Sequence, residues 1–309
     1  MFHAPLLTAL PEFDLQVIAG ADEAAATAAL PGLDLIVIST PNLTHHALAR
    51  AALLAGKHVV VDKPFTVTVE DADDLIEIAR RTGRMLTVFH NRRWDADFLT
   101  VRKVLEQGTI GAPMLFEAHW DRFRPAIKQG WREVDAPGAG LLNDLGPHMI
   151  DQALCLFGMP HAIFADIQSQ RTHAEVDDYF DLTLFYDTLR VRLAASTLIS
   201  DPRPRFAVSG TGGSFVKHGL DPQEAALRDG ADPIGAAFGQ DPLDGLLTVG
   251  NRSEVQPTER GCYPDFYRSV AAAIRNGGAA PIDPRDAREG LRLIELARES
   301  ARQGRTRRT

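Results

Sequence analysis

Three ionisable side chains lie at the expected ends of a strand and a helix, where they could take part in proton transfer. Lys63 directly follows a buried strand pattern, and Asp144 and His148 lie four residues apart around the expected start of a helix. A lysine at the carboxyl end of a parallel strand points into the crevice where such sheets bind ligands. Histidine has an intrinsic pKa near working pH, and a carboxylate near a helix start is favourably placed. These residue types predict acid–base chemistry, with His148 as the better candidate for the base.

Each of these residues also has a structural interpretation. Lys63 is compatible with a surface lysine after a strand, Asp144 with a helix cap, and His148 with a buried structural histidine. Asp144, His148 and Asp151 also suggest a metal site, but no further histidine or carboxylate is suitably spaced, so we expect no metal. The residues alone leave the catalytic and the structural alternatives open.

The first part of the chain reads as alternating strands and helices. Compact apolar runs bounded by turn residues predict strands that are buried on both faces, at residues 34–40, 58–62 and 85–89. Helices are predicted over residues 42–56, with Asn42 as N-cap, and over residues 68–83, with Thr68 as N-cap. This alternation with tight connections is typical of a doubly wound parallel sheet, and it places Lys63 at the end of the second strand.

The remainder of the chain has a different pattern, which predicts a mostly antiparallel sheet. Half-buried or short strands are predicted at residues 114–120, 180–186, 189–196, 205–209 and 214–217. One helix is expected around residues 147–157, with Pro147 in its first turn. Another is expected at about residues 285–302, packing back towards the first domain. We expect a nucleotide-binding type of domain over residues 1–108 and an α+β domain over residues 109–309.

Composition and charge limit the classes of partner. The chain of 309 residues carries 33 Lys and Arg against 41 Asp and Glu, which gives a formal net charge of −8. Nucleic acids and anionic membranes attract dense basic surfaces, so we expect neither as a partner. No apolar run reaches the length of a membrane span, and the start lacks the pattern of a signal peptide. We therefore expect a cytoplasmic protein.

Three separate motifs carry a family resemblance. The first is Ser39-Thr40-Pro41-Asn42 with His45 following, and the second is Val60-Val61-Asp62-Lys63-Pro64 at the end of the next strand. The third is Asp144-Leu145-Gly146-Pro147-His148, preceded by a glycine-rich stretch. In this order and spacing they resemble the inositol-dehydrogenase and glucose–fructose-oxidoreductase family (Gfo/Idh/MocA), over nearly the whole chain. The second motif departs from the family's usual Glu-Lys-Pro by having Asp62.

Further stretches are similar to the scyllo-inositol dehydrogenase-like members of that family. They are residues 89–95, 121–125, 176–180, 215–217 and 219–223. The resemblance implies hydride transfer between a nicotinamide cofactor, NAD or NADP, and a hydroxyl-bearing carbon of an inositol-like polyol or sugar. It also implies a homodimer or homotetramer that assembles through the C-terminal sheet.

The resemblance assigns roles to individual residues. Lys63 would polarise the reacting oxygen, His148 would act as the base, and Asp144 would bind a substrate hydroxyl and orient the histidine. The implied cofactor-binding residues are Thr40, Pro41, Asn42, His45, Asp62, Lys63, Trp131 and Arg132. The implied substrate pocket draws on Asn91, Arg92, Arg93, Trp94, Asp121, Arg124, Asp144, Asp178 and Tyr179. Any one of these side chains is also compatible with an ordinary packing or surface role.

The front of the chain departs from the family pattern. A nucleotide-binding sheet normally opens with a strand and a glycine-rich turn, but residues 1–7 resemble the middle of the helix that follows such a turn. A second gap lies between the strand-like residues 15–18 and the helix expected from Ala21. The fold class is therefore α/β, with an incomplete Rossmann-type sheet followed by the α+β domain. A shortened protein and a later start are alternatives, but the double deficit favours an incomplete sequence.

Two other functions remain open alongside the dehydrogenase. A non-catalytic sugar-binding or regulatory relative would keep the fold without the pyrophosphate site. An NAD-recycling glycosidase would release a free sugar without net reduction of its cofactor. The preference for NAD or NADP cannot be inferred, because the strand end that distinguishes them falls in the second gap.

Overall fold

The computed structural model describes residues 2–20, 30–127, 130 and 133–309. The described helices are α1 (His3–Ala9), α2 (His45–Leu54), α3 (Val69–Thr82), α4 (Ala96–Gln107), α5 (Leu141–Phe157), α6 (Gln223–Arg228), α7 (Pro264–Asn276) and α8 (Pro284–Gln303). The described strands are β1 (Leu35–Ile38), β2 (His58–Val61), β3 (Leu86–Val88), β4 (Pro113–Asp121), β5 (Ala162–Gln168), β6 (Tyr179–Phe185), β7 (Arg190–Ser196), β8 (Phe206–Gly210), β9 (Gly213–Lys217), β10 (Gly245–Val249), β11 (Arg252–Gln256) and β12 (Arg307–Arg308).

The chain divides into two compact units, each with its own core. The first unit contains the described residues up to Trp94, together with Gln223–Phe238 and Cys262–Leu291. The second unit contains the described residues of the segments Asp95–Pro222, Gly239–Gly261 and Arg292–Thr309. This division differs from the single boundary expected near residue 108, because two later segments belong to the first unit and α8 contributes to both.

The first unit contains the expected parallel sheet. Strands β1, β2 and β3 lie in that order and pair in parallel, with Leu35 opposite His58 and Val59 opposite Leu86. Their buried valines pack against α2 and α3, because a parallel sheet covered by helices buries both of its faces. The expected cap of α3 is confirmed, since the Thr68 hydroxyl accepts a hydrogen bond from the Asp71 amide. Lys63 follows β2, as predicted.

Two local expectations for the first unit are wrong. Asn42 does not cap α2, because residues Asn42–Thr44 form a 3₁₀ turn in which Asn42 is buried, and α2 begins only at His45. Residues 15–18 form no strand and are largely exposed to solvent. The helix expected from Ala21 lies outside the described residues. The helix expected near the start is present as α1.

The second unit contains a nine-stranded sheet that is mostly antiparallel, as expected. The strand order is β11-β10-β9-β8-β4-β7-β6-β5-β12, and the described pairs are antiparallel except for β4 with β7. Strands β6 and β7 form one antiparallel hairpin, and β8 and β9 form another. Strands β5, β10, β11 and β12 were not predicted. The strongly apolar face of the sheet packs on α4 and α5.

Helix α5 carries Asp144 and His148, and it begins earlier than expected. The sequence predicts a start at Pro147, but the helix begins at Leu141, so Pro147 lies inside it. A distant residue sets this start: Asp177 accepts the Leu141 amide on its main-chain oxygen at 2.8 Å and the Leu142 amide on its carboxylate at 2.6 Å. Contacts that satisfy the free amides of a first helical turn stabilise it there. No local pattern reveals them.

No described helix is long and apolar enough to cross a membrane.

Gly140 adopts a φ of 93° directly before α5, and a Cβ on it would lie 2.5 Å from a carboxylate oxygen of Asp177. Glycine is therefore required at position 140 by the close approach of Asp177 and by the left-handed backbone.

Candidate functional site

In the first unit, the imidazole of His45 joins the two turns that follow β1 and β2. Its Nδ1 lies 2.9 Å from the carbonyl oxygen of Pro64, and its Nε2 lies 2.9 Å from that of Thr40. The side chain is almost completely buried. His45 thus ties the turn that carries Thr40 to the turn that carries Lys63. It lies beneath both turns, so the structure gives it a supporting position.

Asp62 precedes Lys63 and belongs to a second set of contacts. Its carboxylate accepts the Lys63 amide at 2.7 Å and lies 3.6 Å from Nε2 of His3. His3 in turn lies 2.6 Å from the hydroxyl of Tyr267, whose pKa is raised well above its ordinary value by burial. Burial also raises the pKa of Asp62, but the nearby His3 and Lys63 outweigh it and hold the pKa below its ordinary value.

A groove of about 640 Å³ runs along the outer edge of β1. It is lined by residues of β1, by Ser39 and Thr40 at its carboxyl end, and by α1 and α7. Its volume lies within the range of small-molecule sites, and ligands of such sheets bind at the carboxyl ends of the strands. Of the predicted cofactor-binding residues, Thr40 lines this groove, whereas Asn42 and Lys63 are not among its lining residues. The described residues of this unit include no glycine-rich turn between a strand and a helix for the pyrophosphate.

Asn91, Arg92 and Trp94 lie together on one 3₁₀ turn of the first unit. The guanidinium of Arg92 donates to the hydroxyl of Tyr263 at 2.7 Å and pairs with Glu224. Asn91 is buried, and the Trp94 ring packs edge-on against Phe266. These contacts hold α6 and α7 to the turn. The side chains of Arg92 and Trp94 therefore contact other side chains of the first unit.

In the second unit, Asp144 and His148 lie one turn apart on α5. The imidazole of His148 is buried, and its ring centre lies 5.9 Å from that of Trp120 at an angle of 30°. The carboxylate of Asp144 is partly exposed and lies 3.7 Å from the guanidinium of Arg122. Arg122 also lies over the Trp120 ring at 5.8 Å. A histidine and a carboxylate that share one helix face can serve one proton transfer.

The other predicted substrate residues of the second unit lie near the end of β4. Asp121 is buried, and both of its carboxylate oxygens accept hydrogen bonds from Arg203 at 2.8 Å. Arg124 is exposed, and its amide donates to the carbonyl of Thr197 at 2.7 Å. Tyr179 is half-buried, and burial, with the nearby Asp181 and Asp166, raises its pKa.

The structure also positions residues that the sequence reasoning did not select. Trp120 and Arg122 contact His148 and Asp144, yet neither was proposed as a site residue. The alternation of Phe116, Ala118 and Trp120 along β4 marks an inward face, which is the signal that points to Trp120. The buried Asp178, which the sequence placed in the pocket, accepts hydrogen bonds from Gln170 and Arg171; these outweigh its burial and hold its pKa below the ordinary value. Trp131 and Arg132 lie outside the described residues.

Each half of the chain matches a domain of one oxidoreductase family. Residues 9–90 match the Gfo/Idh/MocA family domain described as the NAD-binding Rossmann fold of an oxidoreductase family. Residues 102–308 match the domain described as the C-terminal alpha/beta domain of the same oxidoreductase family.

Individual relatives cover almost the whole chain. The uncharacterized oxidoreductase YdgJ of Escherichia coli is 43% identical over 97% of this chain and 92% of its own length. The scyllo-inositol 2-dehydrogenase (NADP(+)) IolW of Bacillus subtilis is 37% identical over 99% of this chain and 91% of its own length. The solved structure of the oxidoreductase yvaA from Bacillus subtilis has a TM-score of 0.95 and 36% identity, and covers all of this chain and 94% of that one.

Proposed function

The chain belongs to the Gfo/Idh/MocA family of NAD(P)-binding oxidoreductases, and from this premise we propose that its substrate is an inositol-like polyol or a sugar. As a dehydrogenase of this family it acts on CH–OH groups with NAD or NADP. Hydride transfer would be the chemistry that a nicotinamide supplies when bound. The protein's own residues bind the substrate, orient it and manage one proton.

The proposed roles follow the three motifs. His148 takes the hydroxyl proton as the carbon is oxidised, and Asp144 binds a neighbouring hydroxyl of the substrate. Lys63 places a positive charge at the reacting oxygen, where negative charge develops. Thr40 and Asn42 would contact the nicotinamide end of the cofactor, on turns that His45 and Asp62 support. These assignments rest on the family resemblance of the motifs.

The observation that carries the proposal is the arrangement on α5. His148 and Asp144 lie one turn apart, with an indole against the imidazole and a guanidinium beside the carboxylate. A base, a hydroxyl acceptor, a cation and an aromatic ring are the groups that a polyol site needs. A plain helix cap at Asp144 would explain neither the neighbouring Arg122 nor the packing of Trp120.

The test is a paired screen of the purified chain. NAD and NADP are each supplied with scyllo-inositol, myo-inositol and common aldoses, and nicotinamide absorbance is followed over time. The proposal predicts cofactor-dependent oxidation of at least one polyol or sugar and its loss in His148→Ala. Oxidation that persists in His148→Ala would contradict the site. A folded protein that oxidises none of these compounds would contradict the proposed substrate class.

A second candidate function is a sugar-binding relative without turnover. Calorimetry with the same compounds separates the two functions. Saturable sugar binding in a protein that binds neither nicotinamide would support this candidate.

We also propose that a second copy of the chain binds the outer face of the nine-stranded sheet. One row of directly opposed residues crosses this face: Val255, Leu246, Val216, Ala207, Glu117, Arg192, Thr183 and Phe164. Phe164, Leu246 and Val255 are 38%, 48% and 64% exposed. An exposed row with apolar ends suits a self-complementary interface. Leu246→Asp should shift the mass measured by light scattering towards the monomer, whereas an unchanged mass would contradict this interface.

A further inference from the structure

A completely buried arginine lies behind the candidate base in the second unit. Arg205 precedes β8, is 2% exposed, and forms an ion pair at 3.4 Å with Asp97, which is also buried. Its guanidinium donates to the side-chain oxygen of Gln152 at 2.7 Å. Removing two charges from water costs several kcal/mol, and apolar residues of similar size often do as well or better for stability. Stability alone therefore gives no reason for this pair.

The contacts of Arg205 lead to His148 by two routes. The guanidinium carbon lies 4.9 Å from the centre of the Trp120 ring, within the range of a cation–π contact. Trp120 in turn packs against the imidazole of His148. Gln152 lies on α5 one turn beyond His148, so the same guanidinium also restrains the helix turn that carries the base.

We propose that Arg205 is a positioning residue for proton transfer at His148, which it holds in one orientation through Trp120 and Gln152. The inference rests on the proposed role of His148 as the base. A base must lie within hydrogen-bond reach of the proton that it takes, and a displacement of about 1 Å can cost about a hundredfold in rate. A buried charge pair with fixed geometry suits this task better than an apolar contact, because its hydrogen bonds are directional.

The test replaces the whole ion pair, so that no charge is left buried alone. Arg205→Met combined with Asp97→Asn is compared with Lys217→Met combined with Asp241→Asn. Lys217 and Asp241 form another buried pair of the same unit, at 2.8 Å, and serve as the matched control. The first pair variant should remain folded and lose kcat by about a hundredfold with little change in KM. The control should keep its kcat.

A readout independent of activity is the imidazole signal of His148 in the NMR spectrum, assigned among the ten histidines by its absence in His148→Gln. It should move or broaden in the Arg205 pair variant and in Trp120→Phe, and it should stay in place in the control. Arg205→Lys, which keeps the cation but loses the planar contact, should lie between wild type and the pair variant in kcat.

The outcomes separate this inference from the proposed function. An unmoved His148 signal together with an unchanged kcat overturns the positioning role, and so does an equal loss in the control pair. Full activity in His148→Gln, with a His148 signal that moves in the Arg205 pair variant, contradicts the proposed base while leaving the positioning of the ring supported.

Discussion

The two units fix their candidate functional side chains by different means. In the first unit Lys63 lies on a turn after a parallel strand, and His45 ties that turn to its neighbour through main-chain oxygens. In the second unit His148 lies inside the buried helix α5, which Asp177 caps from a distant segment. The imidazole of His148 packs against Trp120. The strand-end site thus depends on a side chain that joins two neighbouring turns, whereas the helical site depends on Asp177 and Trp120, which lie outside the helix and far from it in sequence. Substitutions should therefore affect the two sites differently.

The largest expected effect is on turnover, and it tests whether both regions serve one reaction. Lys63→Ala and His148→Ala should each lower kcat by about 10²–10⁴-fold, because each removes a group that manages charge or a proton at the substrate. Lys57→Ala is the matched control for the lysine, since Lys57 lies before β2 and Lys63 after it. Steady-state rates of the three variants check this. A near-normal rate in Lys63→Ala or His148→Ala would contradict the role proposed for that residue.

The double variant Lys63→Ala with His148→Ala sharpens the same comparison. Residues that act on one chemical step show losses that do not add, so the double variant should be little worse than the poorer single variant. Fully multiplied losses would mean that Lys63 and His148 contribute to turnover independently of each other.

The next effect is on the stability of α5 and tests the role of the distant cap. Gly140→Ala should destabilise the fold by about 1–3 kcal/mol through its left-handed backbone, and by about 1 kcal/mol more through displacement of Asp177. Gly158 at the other end of α5 also has a positive φ, but a Cβ there would meet nothing within 4 Å. Gly158→Ala should therefore show the backbone part alone. Urea unfolding measures both free energies, and equal losses would contradict the role of Asp177 as the cap of α5.

A smaller effect is expected where main-chain contacts fix the first site. His45→Ala should lower the free energy of unfolding by about 1–3 kcal/mol, because it removes the buried imidazole that lies against the carbonyl oxygens of Thr40 and Pro64. The adjacent His46 is more exposed and pairs with Asp74, so His46→Ala should cost about 0–1 kcal/mol. Thermal unfolding of both variants checks the difference. A loss at His46 as large as that at His45 would contradict the role of His45 in joining the two turns.

The contrast between the units also explains what the sequence could predict. The parallel strands, the Thr68 cap and the position of Lys63 follow from local apolar runs and turn residues, and the structure contains all of them. The start of α5 was missed because Asp177 sets it from beyond the helix, and Trp120 and Arg205 were missed because only tertiary packing brings them together. Asn42 was misread as a cap, since a 3₁₀ turn and an asparagine N-cap look alike in sequence.

The smallest effect concerns acid and the Asp62 contacts. The pKa of Asp62 is lowered in the folded protein, so its contribution to stability is present above the unfolded pKa of about 4 and is lost as the pH falls through the lower folded value. Asp62→Asn should therefore be less stable at neutral pH and should show a shallower loss below about pH 4. The exposed Asp187, changed to Asn, should leave the profile as it is. Identical acid profiles for Asp62→Asn and wild type would contradict the His3–Asp62 contact.

The most direct test of the central claim is a fluorescence titration of the purified chain with NADH and with NADPH. An NAD(P)-binding oxidoreductase should show a saturable change with at least one of them, and the preferred cofactor then directs the polyol screen. Circular dichroism and a cooperative thermal transition establish that the sample is folded. A folded chain that binds neither nicotinamide would contradict the dehydrogenase and leave the sugar-binding relative as the better account.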